Sequence, residues 1–278
     1  MKISAHTILK NEDKFIWYSV MSVINFVDEY LIWDTGSTDN SLKIIDEILK
    51  TDIGRQKVKF KKKDSGFIFE EDKLRQKMLL ETKGDWFLVV DGDEIWWDES
   101  ISKVINTIKG ESEEIESIVI PTINLVGDIY HFQEENAGHY NLAGKNGHLA
   151  LRAINKSIPG LSSSLPHGRW GWTDQDGKMI QNRDQDKIKF LNTPYLHTSF
   201  MQRSSQTSGI YKRKQKLKHE LGVAFPKDYY YPEVFFQKRP DVVKSVWKKM
   251  DNRFYIQAFF ETPLRRFKRR YLPISHGY

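Results

Sequence analysis

The chain has 278 residues, of which 39% are hydrophobic and 13% aromatic, so it is long and apolar enough to bury a substantial core. It contains no cysteine, which excludes disulfide bonds and cysteine-ligated zinc and fits a reducing compartment. The sequence has no run of about 18 apolar residues and no signal-peptide cleavage site near its N-terminus, so we expect neither a transmembrane helix nor secretion.

The formal net charge of +6 is distributed unevenly along the chain. Residues 203–278 hold 18 Lys or Arg and 6 Asp or Glu, whereas the preceding residues hold 25 and 31. This shift predicts a domain over residues 1–205 followed by a basic extension over residues 206–278, which we expect to be largely helical. A shorter basic run, RQKVKFKKK at 55–63, favours a solvated edge strand over a ligand-binding patch.

Strand and helix patterns alternate over the first 125 residues. In chain order, they predict a strand at Ile3–Leu9, a helix with Asn11 as its N-cap, a strand at Tyr30–Trp33, a helix carrying Leu42, Ile45 and Leu49, a strand at Val58–Phe60, a helix at Glu70–Lys83, a strand at Trp86–Val90, a helix at Ser100–Lys109 and a strand at Ile115–Val126. This alternation predicts an α/β fold in which helices flank a mostly parallel sheet.

Two polar clusters directly follow apolar strands of this predicted sheet. The first spans residues 34–39 and the second spans residues 91–94. Ligands bind at the carboxyl ends of the strands in such sheets. We therefore expect both clusters to lie on the same edge of the sheet, where they would form one site.

The second cluster has the chemistry of a metal site. In WFLVVDGDEIWW, Asp91 and Asp93 flank Gly92, which lets backbone and ligand approach closely. Oxygen-only ligands suit Mg²⁺ or Mn²⁺, which are usually shared with a substrate phosphate. A solvated acidic turn is the alternative, and the position after a buried strand favours the metal site.

Several common site motifs are absent from the sequence. The segment LKNED after the first strand is not the G-x-G-x-x-G of a dinucleotide site, and the chain has neither a P-loop nor a G-x-S-x-G or H-E-x-x-H motif. These absences exclude the corresponding nucleotide-binding, hydrolase and metalloprotease sites.

Three segments resemble family 2 glycosyltransferases of the GT-A fold: ISAHTILKNED, FVDEYLIWDTGSTDNSLKII and WFLVVDGDEIWW. The resemblance covers about residues 1–125 and is strongest to the branch with lipopolysaccharide core and surface-polysaccharide enzymes. It implies a metal-dependent, inverting transfer of a sugar from a nucleoside diphosphate to a glycan or lipid-linked acceptor.

The resemblance also implies roles for particular residues. It assigns donor binding to Leu9, Asn11, Glu12, Asp34, Asp91 and Gly92, and it assigns Mn²⁺ or Mg²⁺ to Asp91 and Asp93. Many relatives carry a second Asp, which can contact the base, where this chain has Thr35. Thr35 therefore leaves the identity of the base open. Among donors of this family, a UDP-sugar is favoured here and a GDP-sugar is the alternative.

The catalytic base is harder to assign. Relatives often have a His-Glu pair, whose Glu would serve as the base, where this chain has His167 and Gly168. Asp174 and Asp176 lie just downstream and are our candidates, because inversion needs a carboxylate that takes the acceptor's proton. A polar hairpin turn explains either residue, taken singly, at least as well.

The rest of the second half contains further candidates. His197 matches a later histidine of the family, which implies a metal ligand or a contact with the diphosphate. We expect Glu134, Glu135 and His139 in a loop over the acceptor side, with the two glutamates as the next candidates for the base. Sugar stacking and core or lid packing are equally good explanations for Tyr140, Trp170 and Trp172.

The basic extension mixes Lys and Arg with aromatic residues. Five basic residues lie within six positions, Arg265, Arg266, Lys268, Arg269 and Arg270, beside Phe259, Phe260, Phe267 and Tyr271. Packing against the domain is the first interpretation, an anionic membrane surface the second and nucleic acid the last. We expect a cytoplasmic protein, and the second interpretation would add peripheral contact with the inner face of the membrane.

Two rival functions stay open at this point. A sugar-phosphate nucleotidyltransferase shares the sheet type but would normally carry a glycine-rich turn after the first strand. A non-catalytic protein that only binds nucleotide sugars would keep the fold. Slow, metal-dependent donor hydrolysis would distinguish an enzyme from such a binding protein.

Overall fold

A computed structural model describes residues 1–63, 71–163, 171–205 and 218–271. The strands are β1 (Ile3–Leu9), β2 (Glu29–Asp34), β3 (Val58–Lys62), β4 (Trp86–Val89), β5 (Glu94–Trp96), β6 (Ser117–Val126), β7 (Asp128–Phe132), β8 (Tyr140–Leu142), β9 (Lys145–Gly147), β10 (Leu149–Asn155), β11 (Ile188–Phe190), β12 (Tyr195–Phe200) and β13 (Val223–Ala224). The helices are α1 (Ile16–Met21), α2 (Ser41–Lys50), α3 (Asp52–Lys57), α4 (Glu71–Glu81), α5 (Asp98–Glu111) and α6 (Asn252–Tyr271).

Eleven of the described strands form one large mixed sheet, whose main path has the order β13-β7-β6-β10-β4-β1-β2-β3, while β8 and β9 form a separate two-stranded sheet. Strands β3, β2, β1 and β4 run parallel to one another. Strand β10 is antiparallel to both β4 and β6, and β12 runs parallel to β6 while pairing antiparallel with β5. The predicted α/β fold with a mostly parallel sheet is therefore confirmed.

Burial along the strands follows the sequence pattern. Every residue of β2 and β4 is buried, as expected for strands at the centre of a parallel sheet. Strand β3 lies at the end of the strand order, and its lysines point mostly to solvent. The basic run at 55–63 thus provides the predicted edge strand, and charged edges of this kind discourage pairing with other chains.

The first helix begins later than predicted. Asn11 is not its N-cap, because helix α1 starts at Ile16 after the cap position Phe15. Asn11 instead has a positive φ of 54°, and its side chain binds the backbone of the turn after β2. Tertiary hydrogen bonds therefore override the local capping preference of this asparagine.

The residues after 218 add to the core of the first half. Tyr231, Val234, Phe235 and Val246 belong to the same apolar cluster as the strands at the centre of the sheet. Trp97 Nε1 also donates to the Tyr230 carbonyl at 3.0 Å. This part of the extension is packed onto the domain, while the boundary predicted at residue 205 borders undescribed residues and stays a prediction.

Helix α6 packs against the turn that joins β6 and β7. Gly127 in this turn has a φ of 76°, and a Cβ there would lie 2.8 Å from the Phe254 ring. The Met250 amide donates to Asp128 Oδ2 at 2.8 Å. Within the described ranges, no helix is both long and apolar enough to cross a membrane.

His6 is a buried, neutral side chain at the centre of the sheet. Its Nε2 lies 2.6 Å from Thr82 Oγ1, and its ring stacks on Phe87 with 4.7 Å between the ring centroids. Burial, assisted by the positive charge of Arg75, lowers the pKa of His6 to about 3. Protonation of this imidazole is therefore coupled to unfolding.

We predict that His6 makes the protein sensitive to mild acid. Its folded-state pKa is depressed, so its contribution to stability is present above pH 6.5 and is lost as pH falls toward 3. Between pH 6.5 and 5, His6 should contribute a limiting slope of about 1.4 kcal/mol per pH unit to the fall in the free energy of unfolding, in addition to the contributions of other titrating groups.

The measurement is urea unfolding at several pH values, compared with His6→Gln. The variant should be less stable at pH 7 but show a slope reduced by about one proton. His139→Gln, in the loop before β8, is the matched control and should keep the native slope. An unchanged slope in His6→Gln would contradict the assignment.

Candidate active site

The turn that follows β1 and the turn that follows β2 interlock at the carboxyl edge of the sheet. Leu9 of β1 lies in register with Asp34 of β2. Asn11 Oδ1 accepts from the Thr38 amide at 2.7 Å, while the Asn11 amide donates to Ser37 Oγ at 2.8 Å. The positive φ of Asn11, which asparagine tolerates better than most residues, is what aims its side chain at this turn.

Asp34 closes the turn that follows β2. Its buried carboxylate accepts from the amides of Gly36 at 2.9 Å and Ser37 at 3.1 Å. The Thr35 hydroxyl donates to the Leu9 carbonyl at 3.0 Å, so it faces β1. The segments to which the resemblance assigns nucleoside binding are thus held together by hydrogen bonds between their own side chains and backbone groups.

Gly92 allows these segments to approach the acidic cluster. A Cβ at Gly92 would lie 3.0 Å from Glu12 Cγ and 3.4 Å from Ile16 Cδ1. A larger residue would therefore require the buried side chain of Glu12 to shift by a few tenths of an ångström. The glycine thus permits the close approach between the turn after β4 and the segment that carries Glu12.

Asp91 lies between two arginines at the end of β4. Arg75 Nη2 is 3.3 Å from its Oδ1 and Arg152 Nη2 is 3.3 Å from its Oδ2, and the side chain is 34% exposed. Burial opposes ionisation, but Arg152 and Arg75 outweigh it and lower the pKa of Asp91. Asp91 is therefore an ionised carboxylate that reaches the surface of the site.

Asp93 is buried and has different partners. Arg203 donates to its Oδ2, and His197 Nε2 lies 3.4 Å from the same oxygen. Against the effect of burial, Arg203 and His197 lower the pKa of Asp93 well below its usual range. In turn Asp93 outweighs the burial of His197 and raises the pKa of that imidazole.

Glu94 completes the cluster from the first position of β5. Its Oε1 accepts from Tyr195 Oη at 3.0 Å and from Arg152, which also donates through Nε to Tyr195 Oη at 3.0 Å. Burial raises the pKa of Glu94 to about 7, although Arg152 acts against this rise. Glu94 thus holds Arg152 in place from below the site.

The carboxylate oxygens of residues 91–94 fit a divalent ion that is shared with a substrate phosphate. Asp93 Oδ1 and Glu94 Oε2 are buried and accept no hydrogen bond from the described residues. Among the described residues, no group of three His, Asp or Glu side chains could hold a metal on its own. A site with one or two carboxylates and substrate phosphates is the usual arrangement for Mg²⁺.

The candidate bases lie in a separate hairpin. Asp174 is buried, and its Oδ1 accepts from the amides of Asp176 at 3.0 Å and Lys178 at 2.9 Å, while its Oδ2 pairs with Arg183. The side chain of Asp176 is exposed. His167, Gly168 and Trp170 lie outside the described residues.

Other candidates from the sequence have structural contacts. Trp172 packs edge-on against Phe87 in the core, which favours packing over sugar stacking. Glu134 pairs with Arg269 at 2.9 Å and so holds helix α6. Tyr140 is partly exposed in β8.

Three residues of the site escaped the sequence analysis: Arg75, Tyr195 and Arg203. Arg75 is buried on α4 beside the apolar residues Leu74 and Met78. A charged residue among the apolar positions of this helix is the sequence feature that could have indicated its role. Arg203 was counted with the basic extension, but it contacts Asp93 and lies 3.5 Å from Glu12. The sequence separation of 110 residues between Arg203 and Asp93 hid this contact.

Solved structures of similar fold are distant in sequence. Residues 1–349 of TarS from S. aureus share 15% identity with this chain, at a TM-score of 0.46, and the alignment covers 72% of this chain and 61% of that one. A complex of the same TarS fragment with UDP-GlcNAc gives 16% identity, a TM-score of 0.46 and coverage of 75% and 61%. The chain therefore spans about three fifths of the TarS fragment that it matches.

A second enzyme has similar scores. Glucosyl-3-phosphoglycerate synthase from Mycobacterium tuberculosis, in complex with Mn²⁺ and UDP-glucose, shares 15% identity at a TM-score of 0.43, with coverage of 78% of this chain and 75% of that one. No curated protein matches the chain in sequence.

The family assignment comes from the sequence itself. Residues 4–202 match the profile described as Glycosyl transferase family 2, which is more than half of the chain. The match spans β1 through β12 and so includes the interlocked turns after β1 and β2, the acidic residues 91–94 and His197. The chain belongs to glycosyl transferase family 2.

Proposed function

We propose that this glycosyltransferase is metal-dependent and inverting, and that it moves a sugar from a nucleoside diphosphate to a glycan or lipid-linked acceptor. The observation that carries the proposal is the pair Asp91 and Asp93, ionised and next to the two interlocked donor turns. A non-catalytic nucleotide-sugar binder is the runner-up function, whereas the family assignment argues against a sugar-phosphate nucleotidyltransferase.

The donor would lie across the carboxyl edge of the sheet. Leu9, Asn11, Glu12 and Asp34 form the nucleoside side of the site. The UDP-sugar remains the favoured donor and the GDP-sugar the alternative. The Thr35 hydroxyl is engaged with Leu9, so this position offers no carboxylate to the N–H donors of either uracil or guanine and does not distinguish the two bases.

The diphosphate would lie beside the acidic cluster. Asp91 and Asp93 would hold Mn²⁺ or Mg²⁺, with His197 as a further ligand or a diphosphate contact. When bound, the ion supplies positive charge that stabilises the leaving nucleoside diphosphate. Arg203 is oriented by Asp93 and Glu12, so its guanidinium can serve the same diphosphate through N–H donors.

The acceptor would approach the opposite face of the sugar. Inversion needs one base there, and Asp174 and Asp176 remain the candidates. The exposed Asp176 is the better candidate of the two, because the Asp174 carboxylate is engaged by two amides and Arg183. We propose a cytoplasmic location, with the acceptor presented at the inner face of the membrane.

A thermal-shift screen with nucleoside diphosphates tests the donor site. A ligand that binds only the folded protein raises its stability. UDP with Mn²⁺ should raise the melting temperature more than UDP alone, and GDP should do so less. No shift with any nucleoside diphosphate would overturn the donor assignment.

Replacing Asp93 should abolish most of the transfer activity. Asp93→Asn removes the anionic ligand and keeps its shape, so turnover should fall by about two orders of magnitude or more. It also leaves Arg203 buried without its counter-charge, which should lower stability. Glu99→Gln, an exposed neighbour on α5, is the control. Full activity of Asp93→Asn, or of the native enzyme in EDTA, would contradict metal dependence.

Arg203 and a divalent ion should compete for the oxygens of Asp93. Arg203→Gln should lower the melting temperature, because Asp93 loses its main counter-charge, and Mn²⁺ should restore more stability than it adds to the native protein. Arg183→Gln is the matched control, since Arg183 pairs with Glu116 and Asp174 instead. Equal Mn²⁺ shifts in native, Arg203→Gln and Arg183→Gln proteins would exclude competition.

The two candidate bases should behave differently when changed to asparagine. Asp176→Asn should bind UDP normally but transfer poorly if Asp176 takes the proton. Asp174→Asn should in addition be less stable, because Arg183 and two amides lose a charged partner. Normal transfer rates in both variants would exclude this hairpin, and Glu134 and Glu135 would then be tested.

A further inference from the structure

Beyond Phe254, which packs beside Gly127 and His219, helix α6 contacts the domain through small and polar residues. Its inner positions are Ala258, Thr262, Arg265 and Arg269, which recur every three or four residues. Thr262 Oγ1 accepts from the Leu221 amide at 2.9 Å, and Arg265 Nε donates to the His219 carbonyl at 3.2 Å. Arg269 is clamped between Glu134 and Glu220.

The opposite side of the same helix is apolar and exposed. Six large side chains there are between 56% and 69% exposed: Ile256, Phe259, Phe260, Leu264, Phe267 and Tyr271. Most of them follow the inner positions by two residues, which rotates them by about 200° around the helix axis. The two faces therefore point in opposite directions.

This arrangement inverts the usual pattern of a surface helix. Amphipathic helices normally turn their apolar stripe to the core and their charges to solvent. Here the ion pairs lie inside, and a row of aromatic and aliphatic side chains lies outside. Contiguous exposed apolar surface of this kind marks an interaction site.

The charges around the apolar face define its partner. Arg253, Lys268 and Arg270 are exposed and Arg266 is partly exposed, while the acid of the helix, Glu261, is paired with Arg265 at 2.8 Å. An apolar face bordered by cations suits an anionic lipid surface. Two copies of the chain meeting at this face would instead bring their like charges together.

We propose that the outer face of α6 lies on an anionic lipid bilayer, with its rings at headgroup depth and its basic residues at the lipid phosphates. The helix rests on the surface, and the ion pairs of Arg269 hold the domain to it. This binding needs no donor or metal, so it stands or falls separately from the proposed chemistry.

Co-sedimentation of the full chain with vesicles tests the proposal. The protein should bind vesicles of phosphatidylcholine mixed with phosphatidylglycerol, less so as salt rises, and should not bind phosphatidylcholine alone. Each basic residue near such a surface accounts for about a fivefold change in binding. Arg253→Gln, Lys268→Gln and Arg270→Gln combined should therefore weaken binding by roughly 100-fold.

Two matched sets of substitutions separate this face from general charge and folding. Lys43→Gln, Lys103→Gln and Lys109→Gln, all exposed on α2 and α5, remove the same charge and should leave binding nearly intact. Phe260→Ser with Phe267→Ser should also abolish binding, whereas Leu80→Ser, on exposed Leu80 of α4, should not. Substitutions are preferable to deleting residues 263–278, because a deletion also removes the anchor Arg269.

Three results would overturn the proposal. The first is equal binding to neutral and anionic vesicles. The second is a loss of binding in the control set as large as in the α6 set. The third is a dimer in light scattering that Phe260→Ser with Phe267→Ser dissociates, since the face would then join two copies. Metal-dependent UDP binding should be unchanged in every α6 variant, whichever result is obtained.

Discussion

Neutralisation of the carboxylates at the end of β4 is the constraint on which the rest of the site depends. A buried carboxylate without a partner is too costly to keep ionised, so Asp93 must be paired in the fold. Its counter-charge comes from the segment after β12, while α4 and β10 supply those of Asp91. Removing one partner of a buried pair costs about 3–5 kcal/mol. These pairs therefore fix three distant segments around one turn.

Under the proposed function, the same pairs would prepare the edge of the sheet for an anionic substrate. Arg75, Arg152 and Arg203 converge there because the carboxylates require them, and a diphosphate would meet cations that are already oriented. A preorganised charge needs no reorganisation when the leaving group departs. Glu94 and Tyr195 take part only indirectly, since they hold Arg152 from the buried side.

Local patterns in the sequence were sufficient for β1, β2, β3, β4 and β6 and for the common edge of the turns after β2 and β4, because alternation and apolar runs depend on near neighbours. They were insufficient for Asn11, whose side chain accepts a hydrogen bond from the Thr38 amide instead of capping helix α1. They were also insufficient for Arg203, whose partner Asp93 is 110 residues away. Trp172 shows the same limit, since a tryptophan in the core and one on a sugar have the same local sequence. Residues whose roles depend on tertiary charge pairing are the ones that sequence reasoning missed.

Strand β6 links helix α6 to the edge of the sheet that carries the acidic residues 91–94. It pairs with β12, which carries His197, and it leads through Gly127 into β7 and the loop with Glu134, which binds Arg269. Because the sheet is rigid, the fold fixes the distance between the acidic residues 91–94 and helix α6. With α6 on a bilayer, the enzyme would reach only acceptors held at one distance from the lipid surface. A lipid-linked acceptor meets that condition, whereas a freely diffusing glycan gains nothing from it.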